Sequence, residues 1–231
     1  MSMRRAAGLH RTHPALACPR VRGRNMIAGL AAYAAGVAAL TFAEARDTRW
    51  QLWLKPLLAV AFVATAVIVG GLGSTFALLV TAALAACAVG DTLLLSRDET
   101  PFLLGMVAFG LGHLLFAGAF WDVRVAEIGA LEVVAALAVI LVGTLAFARS
   151  GPRGLGLAAG LYSVIIAAML GASLLTRSPL LIGAALAFVA SDAVVAQDRF
   201  KARRNWHPLL ITPLYFGAQM AFALSTGLLP L

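Results

Sequence analysis

Apolar residues along this chain occur in long blocks, separated by short segments rich in Arg, Lys, Asp, Glu, Gly or Pro. The blocks approach the ~20 residues that an α-helix needs to cross the hydrocarbon core of a bilayer. We therefore predict an all-α, polytopic transmembrane helical bundle that forms a single domain over residues 26–231. Its spans are expected at approximately residues 26–43, 56–70, 74–95, 101–120, 127–148, 154–176, 179–197 and 207–229.

Proline and glycine mark several ends of these spans. A proline near the first turn of a helix is tolerated, because the amide hydrogen it lacks would have no partner there. Four spans carry such a residue, at Pro56, Pro101, Pro179 and Pro208. The glycine-rich segment 70–73 is short enough for a tight turn, so the second and third spans are expected to pair as a helical hairpin.

The composition excludes an ordinary soluble domain, since 61% of the residues are hydrophobic and only 12% are charged. The net charge of +8 does not indicate nucleic-acid binding, because the basic residues lie in the N-terminal segment and the loops without interleaved aromatic residues. Cys18 and Cys87 fit neither a metal site nor a disulfide framework, and the histidines offer no three-histidine set. We predict neither a metal nor a cofactor.

Residues 1–25 differ from the rest of the chain. They carry six arginines but no run long enough for the apolar core of a signal peptide. One interpretation is a disordered basic tail. The other, which we favour, is an extension from a mis-assigned start codon, with translation beginning at Met26.

Basic residues are distributed unequally between the two sets of loops. The second, fourth and sixth loops contain Arg124 and Arg177. The first, third, fifth and seventh loops contain Arg46, Arg49, Lys55, Arg97, Arg149, Arg153, Arg199, Lys201, Arg203 and Arg204. Because cytoplasmic loops carry the excess of Lys and Arg, the odd-numbered loops are predicted to be cytoplasmic, provided that the N-terminal segment is left out.

Two acidic residues, Asp91 and Asp192, interrupt apolar spans. An ionisable side chain at the bilayer centre costs roughly 2.5–3.5 kcal/mol on insertion scales, so such residues usually face a protein interior or a wet cavity. Spans three and seven run in the same direction, and a rise of 1.5 Å per residue places the two carboxylates roughly 7 and 9 Å inside the cytoplasmic ends. Lys55 begins the second span on the same side, so we predict a shared polar cavity.

Other polar residues within the spans could support this cavity. The structural alternative for the whole set is an interhelical polar clamp, although two buried acids favour a functional site. His113 could orient a carboxylate, whereas Ser191 is interpreted as a packing or hydrogen-bonding residue because no nucleophile-elbow motif surrounds it. Glu132 is expected to extend toward the outer interface. The remaining candidates are Tyr162, Tyr215 and Gln219.

Several short motifs occur in the order expected of one membrane-protein family. They are Lys55-Pro56, Gly90-Asp91, Ala108-Phe109, Gly112-His113-Leu114-Leu115-Phe116, Ser191-Asp192, Arg199-Phe200, and Tyr215 with Gln219. In this respect the chain from Met26 onward resembles the YhhN family, which includes the animal TMEM86 lysoplasmalogenases. The resemblance implies about eight spans and the hydrolysis of the vinyl ether bond of a lysophospholipid in the bilayer, releasing a fatty aldehyde and a glycerophospho-base.

Vinyl ether hydrolysis suits a pair of carboxyl groups, one as general acid and one as an ionised base. The resemblance therefore implies catalytic roles for Asp91 and Asp192, but the sequence does not assign acid and base between them. The Ala-, Gly-, Leu-, Val- and Arg-rich composition is typical of a high-GC bacterium and its inner membrane. Since aerobic bacteria generally lack plasmalogens, the exact substrate stays open. A small-solute or proton-coupled transporter and a non-catalytic lipid-binding protein remain alternatives, and the oligomeric state is not predicted.

Overall fold

The computed structural model describes residues 19–96, 98–148, 156–200 and 204–228. Within these ranges the regular structure is helical, which confirms the predicted all-α bundle. The helices are α1 (Pro19–Ala45), α2 (Gln51–Gly70), α3 (Thr75–Leu93), α4 (Glu99–Asp122), α5 (Ala130–Ala148), α6 (Gly156–Leu175), α7 (Pro179–Phe200) and α8 (His207–Ser225).

Six of these helices, α1 to α4, α7 and α8, are long and apolar enough to cross a membrane, and α5 and α6 contribute the shorter apolar segments Ala130–Gly143 and Gly160–Leu175. The chain is thus an integral, multi-pass membrane protein. The predicted tail lies outside the described residues up to position 18, while α1 begins at Pro19, ahead of the predicted start at Met26. Part of the loop charge behind the predicted orientation also lies outside them, namely Arg97, Arg149, Arg153, Lys201 and Arg203.

Helix α2 begins earlier than predicted. It starts at Gln51, so Pro56 lies inside the helix and not in its first turn. The missing amide of Pro56 removes a single backbone hydrogen bond, while the Leu54 amide still donates to the Trp50 carbonyl at 3.0 Å. Lys55 consequently lies about one turn inside the helix. The prediction holds for the other three prolines, which fall in the first turns of α4, α7 and α8.

The turn between α2 and α3 depends on a residue that only glycine suits. Gly71 adopts a φ of +65°, and its amide donates to the Val67 carbonyl at 3.0 Å, which ends α2. Ser74 then caps α3, because its hydroxyl accepts from the Ala77 amide at 3.1 Å. The two helices pack against each other, so the predicted hairpin is confirmed.

Six helices form a closed ring around the centre of the bundle, in the order α2, α3, α4, α6, α7 and α8, with α8 packing back onto α2. Helix α1 packs outside this ring against α2 and α8, and α5 packs outside it against α6. The ends of α1, α3 and α7 and the beginnings of α2, α4 and α8 therefore meet at one end of the bundle. We call it the odd-loop end, since the first, third and seventh loops lie there.

Close packing of α3 against α4 depends on two glycines. A Cβ atom on Gly90 would lie 2.7 Å from the Phe109 ring, and one on Gly112 would lie 2.7 Å from the Cys87 Sγ atom. Larger residues at either position would force the helices apart. Gly90 immediately precedes Asp91, so this contact also fixes where the Asp91 carboxylate enters the bundle.

Three aromatic rings fill the bundle centre beyond the odd-loop end. Phe116, Phe120 and Phe222 are fully buried. The Phe116 ring lies 4.5 Å from that of Phe222 and 5.9 Å from that of Phe120. We call this group the aromatic plug. It separates the polar residues at the odd-loop end from the other half of the bundle.

Candidate active site

Asp91 and Asp192 line the same cavity at the odd-loop end of the ring, as we predicted from the sequence. Its volume is about 90 Å³. The Asp91 side chain is 3% exposed and that of Asp192 is 17% exposed, so both carboxyl groups are largely withdrawn from solvent. The described residues that line it are Lys55, Asp91, Leu94, Phe102, Met106, Phe109, Tyr162, Ser191, Asp192, Val195, Ala196, Ile211 and Tyr215.

Asp91 lies between a phenol and an ammonium group. The Tyr215 hydroxyl donates to Asp91 Oδ2 at 2.7 Å, and Lys55 Nζ lies 3.9 Å from Asp91 Oδ1. The same ammonium lies 3.5 Å from the Glu44 carboxylate of α1. Thr212 of α8 donates its hydroxyl to the other oxygen of Glu44. A chain of charges and hydrogen bonds thus connects α1, α2, α3 and α8.

Glu44 and Thr212 are members of this network that the sequence did not single out. Glu44 lies at the last turn of α1, beyond the end of the predicted first span, where it resembles a loop residue. Their positions in the sequence could have indicated the contact between Glu44 and Lys55. Glu44 lies at the end of one helix and Lys55 near the beginning of the next, so both side chains lie at the same end of the bundle.

Asp192 has partners of a different kind. The Tyr162 hydroxyl donates to Asp192 Oδ2 at 2.8 Å, and His113 Nε2 lies 3.9 Å from the same oxygen. His113 Nδ1 lies 2.6 Å from the Phe109 carbonyl, which can only accept, so Nδ1 must carry a proton. In the neutral ring, Nε2 is then an acceptor that faces Asp192, and it is buried with no hydrogen-bond partner among the described residues.

Aromatic rings hold this histidine in place. The His113 ring meets that of Phe188 edge to face at 4.5 Å and that of Tyr162 at 5.5 Å. Phe188 also meets the Tyr215 ring at 5.3 Å. The Phe188 ring therefore contacts both Tyr215, which donates to Asp91, and His113, which lies next to Asp192. The rings below the cavity therefore fix the direction of both hydrogen-bonding side chains.

The other predicted residues take less direct positions. Ser191 lines the cavity but donates its hydroxyl to the Ile211 carbonyl at 3.2 Å, consistent with a hydrogen-bonding role between α7 and α8. Gln219 is fully buried beyond the cavity, and neither amide atom has a hydrogen-bond partner in the described part of the chain. It is therefore not among the residues that line the cavity.

Glu132 was predicted to extend to the outer interface, and this prediction is wrong. Its side chain is 4% exposed, one oxygen accepts from the Gly129 amide at 2.9 Å, and the other lies 3.1 Å from Arg177. This residue thus caps the beginning of α5 and ties it to the turn before α7. It lies at the end of the bundle opposite the two aspartates and takes no part in their site.

A second, more polar cavity of about 240 Å³ adjoins the first. We call it the vestibule. Its polar lining includes Glu44, Asp47, Lys55 and Asp198, and the Asp198 carboxylate lies 2.5 Å from His207 Nδ1. Among the described residues, five line both cavities, namely Lys55, Leu94, Phe102, Val195 and Ile211. Lys55 therefore lies where the vestibule meets the cavity of Asp91 and Asp192, which we call the inner cavity.

Metal binding finds no support in the described ranges. They contain no group of three or more His, Cys, Asp or Glu side chains arranged to hold a metal ion. The chemistry that the cavity offers is that of two carboxyl groups, each with a phenol donor, and one lysine.

The fold and this site define a multi-pass membrane protein with paired carboxyl groups in a cavity at one end of its helical bundle. The model of the YhhN family matches residues 50–226, and the chain belongs to that family. The match leaves out α1 and Glu44, so it begins later than the resemblance from Met26 onward implied.

The chain is also similar to the lysoplasmalogenase TMEM86A of Bos taurus, with 31% identity over 151 residues. The aligned region covers 60% of this chain and 60% of that relative's length. No solved structure matches the chain.

Proposed function

We propose that this protein is a membrane-embedded hydrolase that cleaves the vinyl ether bond of a lysophospholipid and releases a fatty aldehyde and a glycerophospho-base. Membership of the YhhN family and the similarity to a protein named lysoplasmalogenase support this proposal. The observation that carries it is the presence of Asp91 and Asp192 in one cavity with unlike partners. We place the protein in a bacterial inner membrane.

The proposed reaction adds one water molecule across the vinyl ether. A general acid delivers a proton to the β-carbon of the double bond, and the remaining cation is shared between the α-carbon and the ether oxygen. Water attacks the α-carbon while a carboxylate accepts the proton that this water loses. In the hemiacetal that forms, the hydroxyl proton passes to the carboxylate left by the general acid, and the carboxyl group that took the proton of water gives it to the glycerol oxygen. The bond between the α-carbon and the glycerol oxygen breaks, so that the glycerol leaves as an alcohol, the chain leaves as an aldehyde, and both carboxyl groups return to their starting states.

Asp192 is the better candidate for the general acid. Its neighbours are the phenol of Tyr162 and a neutral His113 that presents a lone pair and no proton. An acceptor at 3.9 Å is compatible with a protonated carboxyl group and repels a carboxylate. After the proton has left, the Tyr162 hydroxyl stabilises the ionised group that remains.

Asp91 is the better candidate for the ionised partner. The Lys55 ammonium at 3.9 Å and the Tyr215 hydroxyl at 2.7 Å both interact favourably with a carboxylate. An ionised Asp91 opposite the reacting carbon stabilises the developing cation and accepts the proton of the attacking water. The two carboxyl groups thus differ in role because, among the described residues, a permanent cation lies beside Asp91 and none lies beside Asp192.

The vestibule suits the polar part of the substrate. Lys55 lies where the two cavities meet and can bind the phosphate, while Glu44 and Asp47 can interact with a positively charged base. With the phosphate at Lys55, the ether bond of the glycerol lies on the inner side, next to the carboxyl groups. This orientation places the polar product toward the odd-loop end.

Purified protein incubated with lysoplasmalogens and lysophospholipids tests the proposal, with aldehyde and fatty-acid release scored separately. We expect aldehyde release by the wild type, and its loss in Asp91→Asn and Asp192→Asn. Asp122→Asn, the same chemical change at the exposed opposite end of α4, serves as the matched control. Near-wild-type turnover by either cavity variant would contradict the two-carboxylate mechanism, provided that all variants fold and insert alike.

The same panel separates the two other classes of protein. A lipid-binding protein would copurify with lysolipid and leave it intact on incubation. A transporter would show gradient-dependent uptake and would expose Asp91 and Asp192 to reagents from both sides of the membrane. Either result, without aldehyde release, would refute the hydrolase.

A further inference from the structure

The inner cavity is too small to enclose a lipid. Pockets that enclose a drug-sized ligand measure roughly 300–1,000 Å³. The cavity beside the two aspartates measures about 90 Å³, and even the adjoining vestibule measures about 240 Å³. A single-chain lipid that reacts here must therefore leave most of its chain outside the cavity. The hydrocarbon chain must then pass through one side of the cavity.

Three sides of the cavity are closed. Helices α2, α3 and α8 pack against one another on one side. The rings of Phe109, Phe188 and Tyr215 close the floor, with Tyr215 meeting Phe109 at 5.9 Å and Phe188 at 5.3 Å. The vestibule occupies the odd-loop end, and its Glu44, Asp47 and Asp198 carboxylates make it unsuitable for a hydrocarbon chain.

The remaining side lies between α4 and α7. Both helices line the cavity, through Met106 on α4 and through Val195 and Ala196 on α7. In the described part of the chain their backbones do not come close to each other, and the contacts between their side chains lie deeper in the bundle, where the His113 ring meets that of Phe188 at 4.5 Å and lies 3.9 Å from Asp192. Of the described helices, only α6 contacts both of them, and among its described side chains, which begin at Gly160, Tyr162 lines the cavity. Met106, Val195 and Ala196 are partly exposed and apolar. We call this opening the α4–α7 crevice.

We infer that the hydrocarbon chain of a single-chain lipid occupies the α4–α7 crevice, so that the lipid reaches Asp91 and Asp192 sideways from the bilayer. The inference rests on the proposed function only in taking the inner cavity as the place where the lipid reacts. An apolar chain in the crevice stays in contact with lipid and with Met106, Val195 and Ala196. The polar part then extends past Lys55 into the vestibule, which gives the molecule one orientation.

Photolabelling tests this placement without requiring turnover. The probe is a lysophosphatidylcholine with a diazirine in its chain, and adducts are located by mass spectrometry. We expect adducts on the crevice residues of α4 and α7. Ala196→Trp, which fills the crevice, should reduce labelling there by at least about tenfold. Ala193→Trp, on the exposed side of the same helix, is the matched control and should label as the wild type does.

Steady-state kinetics provide a second readout. Ala196→Trp should lower kcat/KM for a long-chain lysolipid by at least about tenfold. The loss should be much smaller for a short vinyl ether, such as butyl vinyl ether, because that molecule needs no crevice. Met106→Trp, with its exposed neighbour Val107→Trp as the control, repeats the comparison on α4 if Ala196→Trp does not fold.

The outcomes separate this inference from the proposed function. Crevice labelling without aldehyde release by the wild type would refute the hydrolase and leave the crevice supported. Aldehyde release with adducts confined to the vestibule, or with Ala196→Trp and Met106→Trp behaving like their controls, would overturn the crevice and leave the hydrolase standing.

Discussion

Replacing Lys55 by methionine removes a cation that faces two carboxylates, those of Glu44 and Asp91. At an effective dielectric constant of about 20, Coulomb's law gives roughly 4 kcal/mol for unit charges at the 3.9 Å that separates Lys55 from Asp91. The distance of 3.5 Å to Glu44 gives roughly 5 kcal/mol on the same basis. These attractions offset the desolvation of the three groups, so they are not net stabilities.

Measured costs for removing one partner of a buried ion pair are about 3–5 kcal/mol, because the other charge is left uncompensated. We therefore expect Lys55→Met to destabilise the protein by up to that amount, with proton uptake by Asp91 limiting the loss. Lys55→Met combined with Asp91→Asn removes both members of the pair. The double variant should regain stability over the single one and remain inactive.

The assay is thermal unfolding in detergent micelles for the wild type, both single variants and the double variant, with turnover measured on the same samples. Lys55→Arg, which keeps the positive charge, is the control for side-chain length and packing. A double variant no more stable than Lys55→Met would refute the reasoning, since Asp91 would then not be the charge that Lys55 compensates.

Two further predictions concern the groups around the carboxylates. Tyr162→Phe removes the hydroxyl that donates to Asp192 at 2.8 Å. A hydrogen bond to a charged group is worth about 1.5–3 kcal/mol, so kcat should fall roughly tenfold to a hundredfold with little change in KM, and an unchanged kcat would exclude this role. Gly90→Ala places a methyl group 2.7 Å from the Phe109 ring and should cost about 1–3 kcal/mol, seen as a lower unfolding temperature. Gly183→Ala, where a Cβ meets nothing within 4 Å, should show no such loss, and equal melting of the two variants would rule out the contact as the cause.

Much of the fold and the position of the two aspartates follow from hydropathy and helix geometry. The bilayer fixes the length of each apolar block, and a constant rise per residue then fixes the depth of Asp91 and Asp192. Their meeting in one cavity needed only parallel spans and the preference of carboxyl groups for a polar interior. The length of a span and the depth of a residue within it each depend on one helix at a time.

Several other features were missed or predicted wrongly from the sequence. Helix α2 continues back to Gln51 because backbone hydrogen bonding persists after hydropathy has fallen, which a search for apolar blocks does not see. Glu132 is buried because the nearby Gly129 amide and, from the turn before α7, the Arg177 guanidinium bind its carboxylate. The pairing of Tyr162 with Asp192, and of Tyr215 with Asp91, likewise required the packing of the ring.

The aromatic plug has a consequence for how the site exchanges protons. Phe116, Phe120 and Phe222 offer no hydrogen-bonding group to a chain of water molecules, so we expect the two carboxyl groups to exchange protons with the aqueous phase at the odd-loop end. If the protein is the hydrolase proposed above, we expect turnover to draw its protons from that phase and to return them to it. No net charge would then cross the bilayer, so catalysis should be electrically silent.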